Sequence, residues 1–240
     1  MTYLFISDLH LSPDHPRLVR GLFALLEQYQ HQNTQLYILG DWFNAWIGDD
    51  QQSAWLDDII CQLKNFSEAG NHIYFLAGNR DFALGQAFLS QFNAQLLPEI
   101  SYLNIGELRV RLEHGDLLCT DDISYQRFRR VIRQPLMLRL LKATPLSFRT
   151  RLAQGFRKKS QQINQIKSYD VMDVNQSAVE TALAQVDIII HGHTHRPNLH
   201  QYDQKQRFVL GDWRADHAKI LELRIDKSSK IDMQFIDWKY

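Results

Sequence analysis

A chain of 240 residues, 45% hydrophobic, with 27 basic and 27 acidic side chains is long enough for one α/β domain with a buried core, and its balanced charge points to no acidic or nucleic-acid partner. Cys61 and Cys119 stand far apart without metal-type spacing, which argues against a disulfide framework or a thiolate zinc site and suits a reducing compartment. The opening MTYLFISDLHL carries an Asp and a His inside its apolar stretch and no basic region, so it does not read as a signal peptide; with no apolar run of membrane-spanning length, a cytoplasmic protein, soluble or peripheral, is expected.

In chain order, apolar runs at 3–7, 35–39, 72–77, 108–113 and 186–190 predict buried strands. Amphipathic stretches at 14–31, 52–69, 82–92 and 171–184 predict helices between them. The alternation indicates an α/β sheet covered by helices. After residue 205, RFVLGDW, AKILELRI and DMQFID leave no room for helices and predict a closing antiparallel meander.

Each of the first five strands runs into polar residues: Asp8-Leu9-His10, Gly40-Asp41, Gly78-Asn79-Arg80-Asp81, His114-Gly115-Asp116 and His191-Gly192-His193-Thr194-His195. Ligands of open α/β sheets gather beyond the carboxyl ends of strands. Residues i and i+2 of an extended segment point the same way, so Asp8 can share a target with His10, and His193 with His195. The candidate metal ligands are Asp8, His10, Asp41, Asn79, His114, His193 and His195. So many N/O donors exceed one zinc shell and suit two metals bridged by a carboxylate, for which Asp41 is the candidate. His191, without a partner motif, reads as a core histidine, and Cys119 as packing. Asp212, in a second GDW, reads as a turn with no second ligand cluster beside it, and the sequence assigns it no further role.

The order D-x-H, GD, GN, H, GHxH resembles the calcineurin-like metallophosphoesterase superfamily over residues 4 to 197. LYILGDWFNAWIGDD, GNRDF, HGDLLCTDD, MDVNQ and HGHTHRP narrow the resemblance to its branch that hydrolyses UDP-2,3-diacylglucosamine in lipid A biosynthesis. The resemblance implies two mixed β-sheets flanked by helices, one domain over 1–240, and a helical lid insertion at 123–168. It implies two divalent ions, manganese before iron or zinc: one on Asp8, His10, Asp41 and His195, the other on Asp41, Asn79, His114 and His193. It implies attack of a metal-activated hydroxide at the α-phosphorus, giving UMP and 2,3-diacylglucosamine 1-phosphate. Asp8, His10, Asp41, Asn79, Arg80, His114 and His193 would carry the catalysis, with His10 or His193 a candidate proton donor. Substrate contacts would come from Asn79, Arg80, Asp122, Ser160, Asn164, Lys167 and His193. Arg80 replaces the histidine of many relatives and suits a diphosphate; the alternative is a structural pair with Asp81.

Between Arg127 and Lys167 stand twelve Lys or Arg and no acidic residue. Pro135 and Pro145 divide this stretch into short helical pieces, and Leu136, Met137, Leu138, Leu140 and Leu141 form an aliphatic block. Basic amphipathic helices lie at anionic membrane surfaces, so the expected partners are a lipid-linked UDP-sugar and the cytoplasmic face of the inner membrane, with the protein monomeric. Nucleic acid fits less well, because the block lacks stacking aromatics. The competing readings keep the metals but change the substrate to a phosphoprotein, cyclic nucleotide or oligonucleotide, or make the chain a membrane-surface binding module.

Overall fold

The computed structural model describes residues 1–166, 173–226, 228 and 230–240, with side chains described outside 157–166. Strands β1 (Thr2–Ile6), β2 (Thr34–Leu39) and β3 (His72–Leu76) read as continuous apolar runs because both of their faces are covered. Leu4 and Ile6, Leu36 and Ile38, and Ile73 and Phe75 pack with helices α1 (Pro16–Tyr29) and α2 (Ala54–Glu68). The alternate residues Tyr3, Phe5, Tyr37, Leu39 and Leu76 turn to the opposite side and meet a second sheet. The period of two therefore sorts one strand between two cores.

The first sheet has the order β11-β10-β1-β2-β3-β4, where β4 is Gln95–Leu96, β10 His217–Ile225 and β11 Ile231–Lys239. The strands β1 to β4 are parallel, while β10 and β11 join antiparallel at one edge. The second sheet comprises β5 (Ile100–Ile105), β6 (Leu108–Glu113), β7 (Ile188–His191), β8 (Asn198–Tyr202) and β9 (Lys205–Val209), in the order β5-β6-β7-β9-β8. Its centre is parallel and its edges antiparallel. Helix α7 (Gln176–Leu183) closes the outer face with Val179, Ala182 and Leu183 against Ile189. Two mixed sheets flanked by helices are thus the architecture.

Two expectations need correction, and strands β5 and β8 were not predicted. The helix expected at 82–92 shortens to α3 (Gln86–Leu89) and a 3-10 turn at Ser90–Phe92, ended by Asn93 at φ 57°. Residues 81–85 are drawn off by the loop carrying Asp81, whose carboxylate is tied to backbone beneath Asp41. The terminal meander splits: β9 pairs parallel with β7 in the second sheet, and only β10 and β11 form the hairpin on the first. Strands β5 and β8 escape the pattern because their side chains are largely half-buried or exposed at sheet edges, without an apolar run.

Between β6 and β7 the chain runs through α4 (Ile123–Ile132), α5 (Pro135–Lys142) and α6 (Leu146–Ile166). Pro135 starts α5 and Pro145 directly precedes α6, where its fixed φ is tolerated. No residue of α5 is buried, and Leu136 is 68% and Leu140 56% exposed. Buried Arg149 anchors α6 by donating to the carbonyl oxygen of Ile47 (2.7 Å) and to Asp50 Oδ1 (2.8 Å).

Candidate metal centre

The site forms where the carboxyl ends of β1, β2, β3, β6 and β7 meet. Backbone bonds lace the loops together before any side chain acts: Asp8 N donates to Gly40 O (3.1 Å), His10 N to Asp41 O (3.0 Å) and Gly192 N to His114 O (2.9 Å). Asp8, His10, Asp41, His193 and His195 hold φ of 56°, 50°, 51°, 70° and 55°. A left-handed residue turns the chain sharply, so each pair converges through turns beyond the strand ends rather than through the extended i and i+2 spacing that the sequence suggests. Each such residue costs about 1 kcal/mol or more, and this strain survives only where surroundings over-determine it, typically at functional sites.

The seven predicted donors come together in two overlapping groups. In one, His195 Nε2 lies 3.2 Å from Asp8 Oδ1 and 3.3 Å from His10 Nε2. In the other, Asn79 Oδ1 lies 2.9 Å from His114 Nε2 and 3.0 Å from His193 Nδ1, and those two nitrogens are 3.2 Å apart. Asp41 spans both, with Oδ2 3.9 Å from His10 Nδ1 and Oδ1 3.6 Å from His114 Nε2. Asp8, His10 and His195, and separately Asp8, Asp41 and His114, present donor atoms close enough to hold one ion each.

The chemistry of this donor set fits divalent cations. His114 Nδ1 donates to Leu39 O (2.9 Å) and its Nε2 faces Asn79 Oδ1 (2.9 Å); burial opposes charge on this ring, but Asp41 and Asp8 outweigh it and raise its pKa, so without a metal a proton can fill the place between Nε2 and that oxygen. Lone pairs that approach so closely repel unless a cation or proton lies between them. His10 Nδ1 is buried without a hydrogen-bond partner, an arrangement that ordinarily costs about 1–3 kcal/mol.

The charges agree. Burial disfavours the Asp8 carboxylate, but the His195 hydrogen bond and the nearby imidazoles outweigh it and hold its pKa below the usual range. Asp41 is raised by burial and by Asp8. Burial brings His10 down to about 3, helped by Arg80, and His193 down to about 4, helped by His114. Both rings are therefore neutral near pH 7, the form that ligates metal, and neither carries the proton that a general acid at those positions would need.

Arg80 stands at the mouth with Nε 3.3 Å from Asp41 Oδ2 and Nη1 donating to Asn44 Oδ1 (3.0 Å). It does not pair with Asp81. That fully buried carboxylate instead accepts from the backbone N–H groups of Gly78 (2.8 Å), Trp42 (2.7 Å) and Asp41 (3.3 Å), and fixes the two glycine turns against each other. Asp81→Ala should leave these donors unpaired and lower unfolding free energy by about 3 kcal/mol or more, read from urea denaturation of the metal-free protein.

Asp122 caps α4: its Oδ1 accepts from Tyr125 N (3.0 Å) and from Ser124 Oγ (2.8 Å). Ser160 and Asn164 fall in α6 where only the backbone is described, and Lys167 lies outside the described residues. His191 is a core histidine as expected, wholly buried, its Nε2 3.2 Å from Arg207 Nη1. Two residues were missed. Asp116, at the HGD motif, gathers Tyr125, Arg129 and Arg133 from the insertion. Asp212 sits 3.9 Å from His195 Nδ1 and 3.5 Å from Arg214 Nε, so the second GDW returns to the site from behind.

A family model of the calcineurin-like phosphoesterases matches residues 1–197. The chain is 42% identical over 221 residues to a UDP-2,3-diacylglucosamine hydrolase of Haemophilus influenzae strain PittGG, spanning 91% of this chain and 93% of that one. It is 44% identical over 226 residues to the enzyme of that name from Serratia proteamaculans, spanning 92% and 94%. An archaeal phosphodiesterase shares the fold at a TM-score of 0.51 and 14% identity, over 98% of this chain and all of that one. The chain belongs to the calcineurin-like phosphoesterase family, in the same group as these bacterial hydrolases.

Proposed function

We propose that this protein hydrolyses the pyrophosphate bond of UDP-2,3-diacylglucosamine at the α-phosphorus, releasing UMP and 2,3-diacylglucosamine 1-phosphate for lipid A synthesis. Similarity over more than nine-tenths of both chains to hydrolases named for that substrate carries the reading. The seven converging donors fit it. Asp8, His10, Asp41 and His195 would hold one divalent ion, and Asp41, Asn79, His114 and His193 the other, with manganese the expected metal. Two such ions, when bound, supply Lewis-acid activation of water and charge neutralisation on the phosphoryl oxygens.

The chain's own residues then account for orientation. The Arg80 guanidinium is always charged and partly exposed beside Asp41, so it can hold an oxygen of the diphosphate opposite the ligand cluster. Asp81 keeps the Asp41 and Gly78 turns in register beneath it. The phosphate leaving group requires little protonation, which accords with His10 and His193 being neutral.

The insertion supplies the lipid side of the reading. Leu136, Leu140, Phe148 and Phe156 are exposed within a stretch of twelve basic and no acidic residues. That surface suits acyl chains and anionic headgroups, so the helices would act as a lid and seat a monomer on the cytoplasmic face of the inner membrane. Among the described residues no helix is long and apolar enough to cross a membrane. Metal-stripped protein incubated with UDP-2,3-diacylglucosamine should yield UMP and the lipid 1-phosphate, by mass spectrometry, only after Mn²⁺ is restored. Cleavage of a generic phosphodiester without turnover of this lipid would remove the substrate and keep the chemistry.

A further inference from the structure

Gly78 is held from both sides. Its N–H donates to Asp81 Oδ1 (2.8 Å), and its carbonyl oxygen accepts from Arg133 Nη2 (2.6 Å). That carbonyl belongs to the peptide that leads into Asn79, so whatever fixes it fixes where the Asn79 side chain starts. Arg133 comes from the residue that ends α4, far along the chain and outside the motifs shared by the strand ends.

Arg133 is not a surface side chain that happens to reach inward. Its side chain is 8% exposed, and the other arm of its guanidinium pairs with Glu99 Oε1. Glu99 in turn pairs with Arg129 Nη2 (2.7 Å), and Arg129 Nε with Asp116 Oδ2 (2.8 Å); Arg133 Nη2 lies 3.5 Å from the same oxygen. Two arginines and two carboxylates form a closed, charge-balanced ring, buried at the arginines and Asp116. Tyr125 donates to Asp116, and its ring stacks on His193 at 6.5 Å between centroids. Asn79 and His193 are the two donors that complete the second ligand group, and α4 touches the framework of both. A rigid fork satisfying a carboxylate and a carbonyl at once is a geometry that guanidinium provides and an ammonium does not.

We propose that Arg133 is a positioning residue for the Asn79 half of the metal centre, so that the insertion is a structural part of that half-site as well as a cover. The inference rests on the reading of Asn79 and His193 as ligands. The insertion has a second anchor that allows the idea to be isolated. Arg149 ties α6 to Ile47 and Asp50 in the loop after β2, and none of its hydrogen bonds or ion pairs among the described residues reaches a ligand-bearing turn.

The test is titration of metal-free full-length protein with Mn²⁺ and with Co²⁺, read by calorimetry and by the visible spectrum of the cobalt form. Arg133→Ala should weaken one of two equivalents about 10- to 100-fold, the usual effect of losing a partner that orients a metal ligand, and leave the other unchanged. Arg133→Lys, which keeps the charge beside Glu99 without the fork, should fall between wild type and Arg133→Ala and guards against a variant that fails to fold. Arg149→Ala, which loosens the insertion elsewhere, should bind both equivalents as wild type does. Equal weakening by Arg149→Ala, or two unchanged equivalents in Arg133→Ala, overturns the proposal. Wild-type protein that takes up fewer than two equivalents removes the two-metal reading itself, and this inference with it.

Discussion

Asp41→Ala should lower kcat/KM by at least about 10³-fold and weaken both metal equivalents together, whereas His195→Ala should lose only one. The difference follows from position. Asp41 sends Oδ2 toward His10 and Oδ1 toward His114, so its removal opens both ligand groups. Among the predicted ligands, His195 Nε2 faces Asp8 and His10, and its Nδ1 turns to Asp212, which is not one of them. A two-metal centre gains from each ion at both the attacking and the leaving oxygens, and loss of one electrostatic contact in such sites commonly costs 10²- to 10³-fold. Removing the shared ligand exceeds that by touching both ions. The measurement pairs steady-state kinetics at saturating Mn²⁺ with metal content after gel filtration. Both variants should retain the wild-type circular dichroism spectrum. Retained activity in His195→Ala at matched metal loading would contradict its place in the site, and selective loss of one equivalent in Asp41→Ala would contradict bridging.

The parts of the site that sequence reveals are those whose chemistry is local. Asp8 and His10, or His193 and His195, advertise themselves through spacing on a strand end, and a glycine before Asp41 and Asn79 marks a turn. Their convergence is also readable, because parallel strands bring their carboxyl ends to one edge. Their left-handed conformations are not, since Asp and His are enriched at positive φ but adopt it only in a minority of positions; the surrounding packing selects φ near 50° at His10 and His195. A structural pair of Asp81 with Arg80 is the alternative that their adjacency offers, yet the Asp81 carboxylate turns inward to three backbone donors. Asp116 and Asp212 illustrate the same limit at longer range. The first is engaged by helix α4, and the second, carried on the connection between β9 and β10, approaches His195, and tertiary closure of this kind leaves no periodic trace. The edge strands β5 and β8 were invisible for a simpler reason: a half-solvated edge does not need an apolar run.

Gly78→Ala should be among the most damaging single methyl additions in this chain, and Gly155→Ala among the least. A Cβ on Gly78 would fall well inside contact distance of Asp41 N and Oδ1, and 3.0 Å from Asp41 Cγ. None of these atoms can retreat cheaply, since Asp41 N is held by Asp81 and the Asp41 carboxylate by Arg80 N at 2.9 Å. The turn must open, carrying Asn79 away from His114 and His193. Overpacking of a tight site typically costs about 1–3 kcal/mol, and here it acts on the carboxylate that joins the two ligand groups, so activity should fall by about 10²-fold or more for a metal-positioning displacement on the order of 1 Å. At Gly155, on an exposed part of α6, a Cβ meets nothing within 4 Å, and alanine should raise stability by about 0.5–1 kcal/mol through helix propensity alone. Urea denaturation and Mn²⁺ titration of the two variants side by side separate the effects: Gly78→Ala should lose both stability and metal, Gly155→Ala neither. Wild-type metal affinity in Gly78→Ala would mean that the Asp41 and Asn79 turns can slide past one another, and the close packing of those two loops would then not be what sets the spacing of the ligands.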